Sequence, residues 1–574
     1  MTKKWQIAKS VTDQNSGAFP EMLPIVLQLL FNRQMTSQEK IDEFLHPDYS
    51  RDVYDPYLFR NMRVAVDRIF SALEKHEKIT IHGDYDADGV SATVIAFSTL
   101  KTLGADVDVY IPHRVSEGYG LNKNTVSELS KNGTKLIITV DCGISSQPEI
   151  ELAKQKGIDV IVTDHHEQPP HLPDAYAIVN PHIDGETYPY HDLSGSGVSF
   201  KLASALVSEA SKRSEHKEKI SDGYEKWLLD LVAIGTIADC VPLLGENRTL
   251  VKYGLLVLKK TRRQGLLELA KSSRVNLPTI DTNGVSFSLV PRLNAAGRIG
   301  HANTAFDLLV TDQAAAGIGI AQSLEKTNQQ RQRTTEKMVG ESKSQIPSVD
   351  KQKILFAIGP KWSPGVVGLV AGRLMDEYSR PVLIMGESDG VVVGSGRSIP
   401  GFDITKALAE SREYLDRFGG HAAACGFTLP KANLENFLSK MSSLAEKISA
   451  DQLVKSLFID SALRLEQANW ELVSMLEQFE PFGEGNKRPR FASFGLEVLD
   501  FGRIGKDGKH LRLQVKQDST TRKMIGFSLS EKWADKLSIG VMIDAVYELS
   551  VNEWNGNREL QLKLVDLKIN SMSL

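Results

Sequence analysis

Between residues 78 and 179, short apolar runs alternate with helix-compatible stretches, and no other feature of the chain narrows its fold as much. The runs are Lys78-Ile81, Val107-Ile111, Lys135-Val140, Val160-Thr163 and Ala177-Val179, separated by segments such as Val90 to Leu103, Thr125 to Asn132 and Pro148 to Lys156. Strands alternating with helices at this spacing predict βαβ units and a mainly parallel sheet in an α/β domain. Open sheets of this kind bind ligands outside the carboxyl ends of their strands. The polar residues collect at those ends. The first run breaks into His82-Gly83-Asp84-Tyr85-Asp86-Ala87-Asp88-Gly89, the third ends in Asp141-Cys142-Gly143, and the fourth ends in Asp164-His165-His166. The apolar helical stretch Trp227 to Ile237 then delivers Asp239.

His82, Asp84, Asp86 and Asp88 are alternate residues, so whatever part of the stretch is extended points them to one side. Carboxylates crowded on one face repel each other, and a hard cation is the usual remedy. A lone Asp-x-Asp-Gly is usually a turn, but here it is joined by three further clusters at element ends. Asp and His without Cys select Mg²⁺ or Mn²⁺ over structural zinc, and the His content tilts the choice toward Mn²⁺. There are enough ligands for two ions. Ions about 3.5 to 4 Å apart that share a carboxylate stabilise the attacking and leaving oxygens of a phosphoryl displacement and acidify water. Hydrolysis of a phosphoester is the predicted chemistry. Two residues keep a second reading: His82 also suits a hydrogen-bonded structural histidine, and Asp164 a cap or an orienter of His165.

Length and composition bound the rest. A chain of 574 residues should hold about three to five domains. With 41% hydrophobic residues it can bury a core, and a formal charge of -4 means that any nucleic-acid face must come from local clusters of Lys and Arg. The cysteines are Cys142, Cys240 and Cys425, without paired spacing, so a reducing cytoplasm is expected and the thiols read as small packing residues. The start lacks the apolar stretch of a signal peptide, and no run approaches a membrane span.

Residues 1–64 read as short helices: Glu21 to Phe31 is apolar at helical spacing, and Ser37 caps a second segment. The α/β domain is expected over 65–300, with Pro291-Arg292-Leu293-Asn294-Ala295-Ala296-Gly297-Arg298 as a small-residue loop carrying two arginines. A polar helical spacer fills 301–348, and a second, β-rich domain follows at 349–450, with Gly394-Ser395-Gly396-Arg397 and Gly419-Gly420-His421. From 455 to 574 apolar and polar residues alternate, as in Leu511, Leu513 and Val515, which predicts half-buried antiparallel strands. Asp507-Gly508 and Trp554-Asn555-Gly556-Asn557 read as hairpin turns, giving a small barrel of the oligonucleotide-binding kind. Its basic residues, Lys506, Lys509, His510, Arg512, Lys516 and Arg522, form either a solvated face or a grip on a strand, with Phe501 and Trp554 as candidate stacking platforms.

The set Asp84-Tyr85-Asp86-Ala87-Asp88, Asp141, Asp164-His165-His166 and Asp239 resembles the motifs of the DHH phosphoesterase superfamily, and Gly394 to Arg397 with Gly419-Gly420-His421 resembles its DHH-associated domain. Gly118-Tyr119-Gly120-Leu121-Asn122, Pro291 to Arg298, Pro481-Phe482-Gly483-Glu484-Gly485-Asn486 and the terminal barrel resemble one branch, the RecJ single-strand exonucleases. The resemblance spans nearly the whole chain. It implies a parallel-sheet DHH domain, a DHH-associated α/β domain joined by a long helix, and a C-terminal OB-type β-barrel. The implied activity is 5′ to 3′ hydrolysis of single-stranded DNA to mononucleotides with two Mn²⁺ or Mg²⁺ ions, in recombination and repair.

Carried over by motif, His82, Asp86 and Asp141 hold one ion, and Asp88, Asp141, His165 and Asp239 the other. Asp84 orients water or ligands, and His166 donates to a phosphate oxygen. Arg292 and Arg298 clamp the scissile or a neighbouring phosphate, with surface ion pairs as their alternative. Arg114, Ser395 and Arg397 are the candidates for the 5′-terminal phosphate, Arg114 having a structural salt bridge as its alternative, and His421 completes that face. Two departures stand out: Ser363 replaces the histidine usual before Pro364-Gly365, and the chain stops after the barrel, where some relatives have a further domain. Single-stranded DNA, a helicase and a single-strand-binding protein are the implied partners of a cytoplasmic monomer without membrane attachment. The core alone equally suits an oligoribonuclease or a cyclic-dinucleotide phosphodiesterase, and the first domain a pyrophosphatase. A non-catalytic nucleic-acid scaffold is the rival of a different class, although every ligand position here is filled.

Overall fold

The structure is a computed structural model, and it describes residues 3–11, 17–346, 348–554 and 557–570. The chain divides into two compact units, one of Val53–Val241 and Thr249–Lys455, the other of Met1–Asp52, Pro242–Arg248 and Ser456–Leu574.

In the larger unit, five parallel strands lie in the spatial order Val107–Tyr110, Lys78–His82, Thr134–Val140, Asp159–Thr163, Ala177–Val179. The strand Thr134–Val140 is buried along almost its whole length, as expected of a sheet covered by helices on both faces. Because the second strand in sequence pairs outside the first, the winding reverses between Lys78–His82 and Thr134–Val140. Such a reversal opens a crevice at the carboxyl ends, and His82 and Asp141 stand on either side of it. The helix Ala87–Leu103 is capped by Asp86, whose side chain accepts from the amides of Asp88 and Gly89, and it stops at Gly104, φ +89°. It packs against the helices Gly195–Ala210 and Leu229–Asp239, so its first turns are buried all round.

The stretch Pro291 to Arg298 is not a loop. It lies within the helix Val290–Ile299, entered through a π turn at Val285–Leu289. Pro291 sits in the first turn, where the missing N–H costs nothing. The expected spacer is the helix Ala314–Ser344 of 31 residues, about 45 Å long at 1.5 Å per residue. A second, mixed sheet follows in the order Arg417–His421, Ala424–Pro430, Val391–Arg397, Val382–Ser388, Leu355–Pro360.

In the smaller unit, the strands Arg490–Ile504, His510–Gln517, Thr520–Gly526, Asn557–Ile569 and Met542–Trp554 pair in sequence around a barrel, closed by the pairing of the first with the last. The Asp507-Gly508 turn joins the first two, with Gly508 at φ +64°. The turn expected at Trp554-Asn555-Gly556-Asn557 and the side chain of Trp554 lie outside the described residues. Phe501 is no platform: it packs on the barrel core.

Residues 1–64, expected as one helical segment, divide between the units. The helices Pro24–Asn32 and Gln38–Leu45 are too short to bury a core alone. Val26, Leu29, Leu30, Ile41 and Phe44 share a core with Leu511, Leu513 and Val515 of the barrel. A strand that the sequence reading missed, Lys4–Ile7, pairs in parallel with Ser456–Ile459. The Pro481 to Asn486 motif proves structural. Buried Arg248 donates to the carbonyls of Phe44, Gln478, Phe479, Glu480 and Pro481, and Arg33 to Asn486 and Lys487.

Candidate metal centre

Three sets of ligand atoms crowd the crevice: Asp84, Asp86 and Asp141; Asp88, His165 and Asp239; Asp141, His165 and His166. The extended alternation expected from His82 to Asp88 ends at His82, where the strand stops. Asp86 and Asp88 reach the site instead through a helix N-terminus, whose positive end favours carboxylates. A second N-terminus faces it. The amides of Gly195 and Ser196 donate to the two oxygens of Asp88 at 2.7 and 3.0 Å. The Asn294 side chain accepts from the Ala87 amide at 2.8 Å and ties the helix Val290–Ile299 to the loop.

Asp141 follows its strand in the left-handed region, φ +60°, a conformation that Asp tolerates better than most residues. The Tyr119 hydroxyl donates to the Asp141 carbonyl at 3.1 Å and lies 3.0 Å from Nδ1 of His166. Small residues make room for the acids: a Cβ on Gly195 would meet Asp141 Oδ1 at 2.3 Å, and one on Gly235 would meet Asp88 Oδ1 at 2.3 Å. Asp164 is fully buried and accepts from the amides of Ile144, His165 and His166 and from Nδ1 of His166 at 2.8 Å. It therefore orients His166 more directly than His165.

Charge is uncompensated here. Burial pushes the Asp84 and Asp141 carboxyls well above the usual range, and neighbouring carboxylates, Asp86 for Asp84 and Asp88 for Asp141, add to this. Burial, then Asp239, raises Asp88 to about 7. Burial lowers His82 to about 4, which keeps its ring neutral. Burial opposes the charge on His165 and on His166, yet Asp239 and Asp88 carry the first above its usual value and Asp164 carries the second. Among the buried side-chain atoms without a hydrogen-bond partner are Nε2 of His82, Oδ1 of Asp84 and Oδ1 of Asp141. Asp141 Oδ1 lies 3.1 Å from Nε2 of His165, and Nε2 lies 3.6 Å from Asp239 Oδ2. The orphaned Asp84 and Asp141 carboxylates belong to one close set and fit a divalent cation, and the three sets offer only oxygen and imidazole ligands, as Mn²⁺ and Mg²⁺ require. His82 joins none of the close sets, although its orphan nitrogen is buried beside them. Cys142 Sγ is 3.7 Å from Nδ1 of His82, and burial raises its thiol far out of the reactive range.

The expected phosphate ligands separate. Arg292 is not free: its Nε donates to Glu325 at 2.6 Å and its Nη1 to the Ser288 carbonyl at 2.7 Å. That is the ion pair held as the alternative to its reading as a phosphate clamp. Among the described residues, the Arg298 side chain donates only to the Gly365 carbonyl, at 3.2 Å. The Arg114 guanidinium stacks 4.7 Å from the Tyr85 ring centre and makes no salt bridge among the described residues. Arg397 donates to Ser395 Oγ and to the Gly396 carbonyl, and Ser395 donates to the Cys425 carbonyl. His421 is exposed on a strand of the second sheet, close enough to favour the charge of Asp239. The sequence reading assigned no role to Tyr119, Gly195, Ser196, Asn294, Glu325 or Gly235. Only the small-residue runs around Gly195 and Asn294 hinted at close approach.

Family models match along the chain in the order DHH family, N-terminal domain, over residues 78–236; DHHA1 domain over 351–447; and RecJ OB domain over 459–566. The chain is 37% identical to the single-stranded-DNA-specific exonuclease RecJ of Bacillus subtilis, over 100% of this chain and 71% of the relative. To its namesake in Haemophilus influenzae it is 31% identical, over 95% of this chain and 96% of the relative. Crystal structures of RecJ from Thermus thermophilus superpose with TM-scores of 0.83 in complex with Mn²⁺ and 0.77 with Mg²⁺. The first is 29% identical and covers 98% of this chain and 79% of that one. Motifs, domain order and fold agree over the full length, and the chain belongs to the RecJ family of DHH proteins.

Proposed function

We propose that the protein is a cytoplasmic exonuclease that hydrolyses single-stranded DNA from its 5′ end to 5′-mononucleotides in recombination and repair. The observation that supports it most is the crowding of orphaned carboxylate and imidazole atoms near arginines that make no ion pair among the described residues. His82, Asp86 and Asp141 would hold one cation and Asp88, Asp141, His165 and Asp239 the other, with Asp84, close to Asp86 and Asp141, orienting ligands or water. Bound there, Mn²⁺ or Mg²⁺ supplies Lewis-acid stabilisation of the phosphoryl oxygens and an acidified water.

The chain's own groups do the rest. Asp164 accepts from Nδ1 of His166 and favours its charged form, and the protonated ring donates through Nε2 to a phosphate oxygen. Arg298, which makes no ion pair among the described residues and has Asp86 as its nearby opposite charge, balances charge at the scissile phosphate. Arg114, Ser395 and Arg397 receive the 5′-terminal phosphate, and His421 closes that face. Phosphate contacts carry no base information, so cleavage should be indifferent to sequence. The barrel's basic residues offer phosphate contacts of their own.

The test is digestion of single-stranded DNA labelled at either end, with Mn²⁺ and with chelator, beside a duplex and a short RNA. Metal-dependent release of the 5′ label as mononucleotide, the duplex being spared, is expected. Release from the 3′ end, or cleavage confined to short RNA, would replace this reading with that of an oligoribonuclease.

A further inference from the structure

Arg331, on the helix Ala314–Ser344, has no part in the reading above. Its Nε and Nη2 donate to Oδ1 of Asn328, nearly one turn back, at 3.1 and 2.9 Å. Asn328 is 1% exposed, so one edge of the guanidinium is pinned by a buried side chain. The remaining N–H groups meet no acceptor among the described residues.

The Arg292–Glu325 pair joins this helix to Val290–Ile299. Arg298 and Arg331 each follow their own member of that pair by six residues, a rise of about 9 Å on each helix. Ile299 shares a cluster with Met338 and Val339, so the two helices run the same way and the two arginines stand at about one level; Arg331, with Arg114 and Arg397, opposes the charge of Arg298, and Asp86 favours it. None of the four has a carboxylate within ion-pair reach among the described residues. Like charges gathered in a partly buried place are costly unless an anion joins them. The cluster also has an order. Arg114 and Arg397 are close enough to oppose the charge of Arg298, and Arg114 that of Arg397, whereas Arg331 opposes Arg298 and is itself opposed by Arg292. Arg331, on the long helix that Arg292 joins through Glu325, is thus apart from the residues proposed for the 5′ phosphate.

We infer that Arg331 is a further substrate-binding residue, positioned by Asn328 to hold a backbone phosphate downstream of the one at Arg298; the inference rests on the nuclease reading. A guanidinium pinned at one edge and open at the other suits a phosphate oxygen pair. The next phosphate of a strand already seated in the site would complete the cluster's charge balance.

The experiment measures KM and kcat of wild type, Arg331→Gln and Arg331→Lys on 5′-phosphorylated oligothymidylates of graded length, from the dinucleotide upward, over a range of salt. On long strands Arg331→Gln should raise KM about tenfold, keep kcat within about twofold, and lower the slope of log KM against log salt by about 0.7. A dinucleotide has no phosphate that reaches Arg331, so its turnover should match wild type, and Arg331→Lys, which keeps the charge but not the fork, should restore the salt slope and only part of the loss in KM. Unchanged KM and slope on long strands would overturn the inference. So would an equal loss on the dinucleotide, which would make Arg331 a structural residue. If wild type digests none of these strands, the nuclease reading falls too; if wild type digests them and only the Arg331→Gln prediction fails, this inference falls alone.

Discussion

Asp141 combines a left-handed backbone, a buried carboxylate and membership of two of the close ligand sets. No other residue of the site is so constrained. Asp141→Ala should lower kcat at least about 10³-fold, because it removes charge where both cations would sit, while single-stranded DNA still binds through the arginines. Turnover near wild type, beside an unchanged binding isotherm, would sink the shared-ligand assignment. At this scale the sequence identified residue types well and partners poorly. Asp141 and Asp239 stand at element ends, where an acid is conspicuous. What Asp164 does depends on the amides that surround it, and those come from residues 144, 165 and 166. Arg292 and Arg298 sit in one motif and look alike, yet Glu325, more than thirty positions away, takes only the first.

The helix Val290–Ile299 shows why an element can be misread. Proline, glycine and alanine are the residues of a loop in isolation, but here the small side chains let the helix approach other backbone: a Cβ on Gly297 would meet the Tyr85 carbonyl at 2.5 Å. If Arg292 acts by joining this helix to the long one, Arg292→Ala and Glu325→Ala should lower stability by similar amounts. The double variant should then lose little more than either single one, with a coupling of about 1 kcal/mol. Additive losses, or a loss of DNA affinity in Arg292→Ala alone, would return Arg292 to the phosphate. In the barrel, the period-two pattern was sound because each strand has one face in the core. The same alternation packs Phe501 on the core, while Phe494 and Phe527, 42% and 50% exposed, are aromatics on the barrel surface, Phe527 beside His510 and Lys563.

For the whole molecule, the crowded carboxylates link metal, protons and stability. Asp88 titrates near 7 in the fold, against about 3.9 in an unfolded chain. Asp84 and Asp141 are raised as well. Between those values the folded state binds more protons than the unfolded one, so stability without metal must fall as pH rises from about 4 to 7. Cations bind the deprotonated set and reverse the trend, adding about 2.7 kcal/mol at a hundredfold excess over Kd. Melting of chelator-treated protein should therefore move down between pH 5 and pH 8, and Mn²⁺ should raise it more at pH 8 than at pH 5. A chelated protein that gains stability over that range, or an equal Mn²⁺ shift at both pH values, would contradict the linkage.

The local signals were sufficient for the parallel sheet, the long helix, the barrel and the chemical types gathered at the strand ends, because hydrophobic period and turn chemistry are properties of neighbouring residues. The smaller unit was not legible as one body: its core joins residues near 30, 44 and 513, and no local pattern announces contacts over such separations. The same holds for the helix N-terminus at Gly195 that receives Asp88, and for the pairing that takes Arg292 and leaves Arg298 and Arg331 open. The sequence determined which groups were available and where the chain would turn. Tertiary packing decided which carboxylates were left without donors and which arginines without acids, since burial and proximity, not identity, set the cost of a charge.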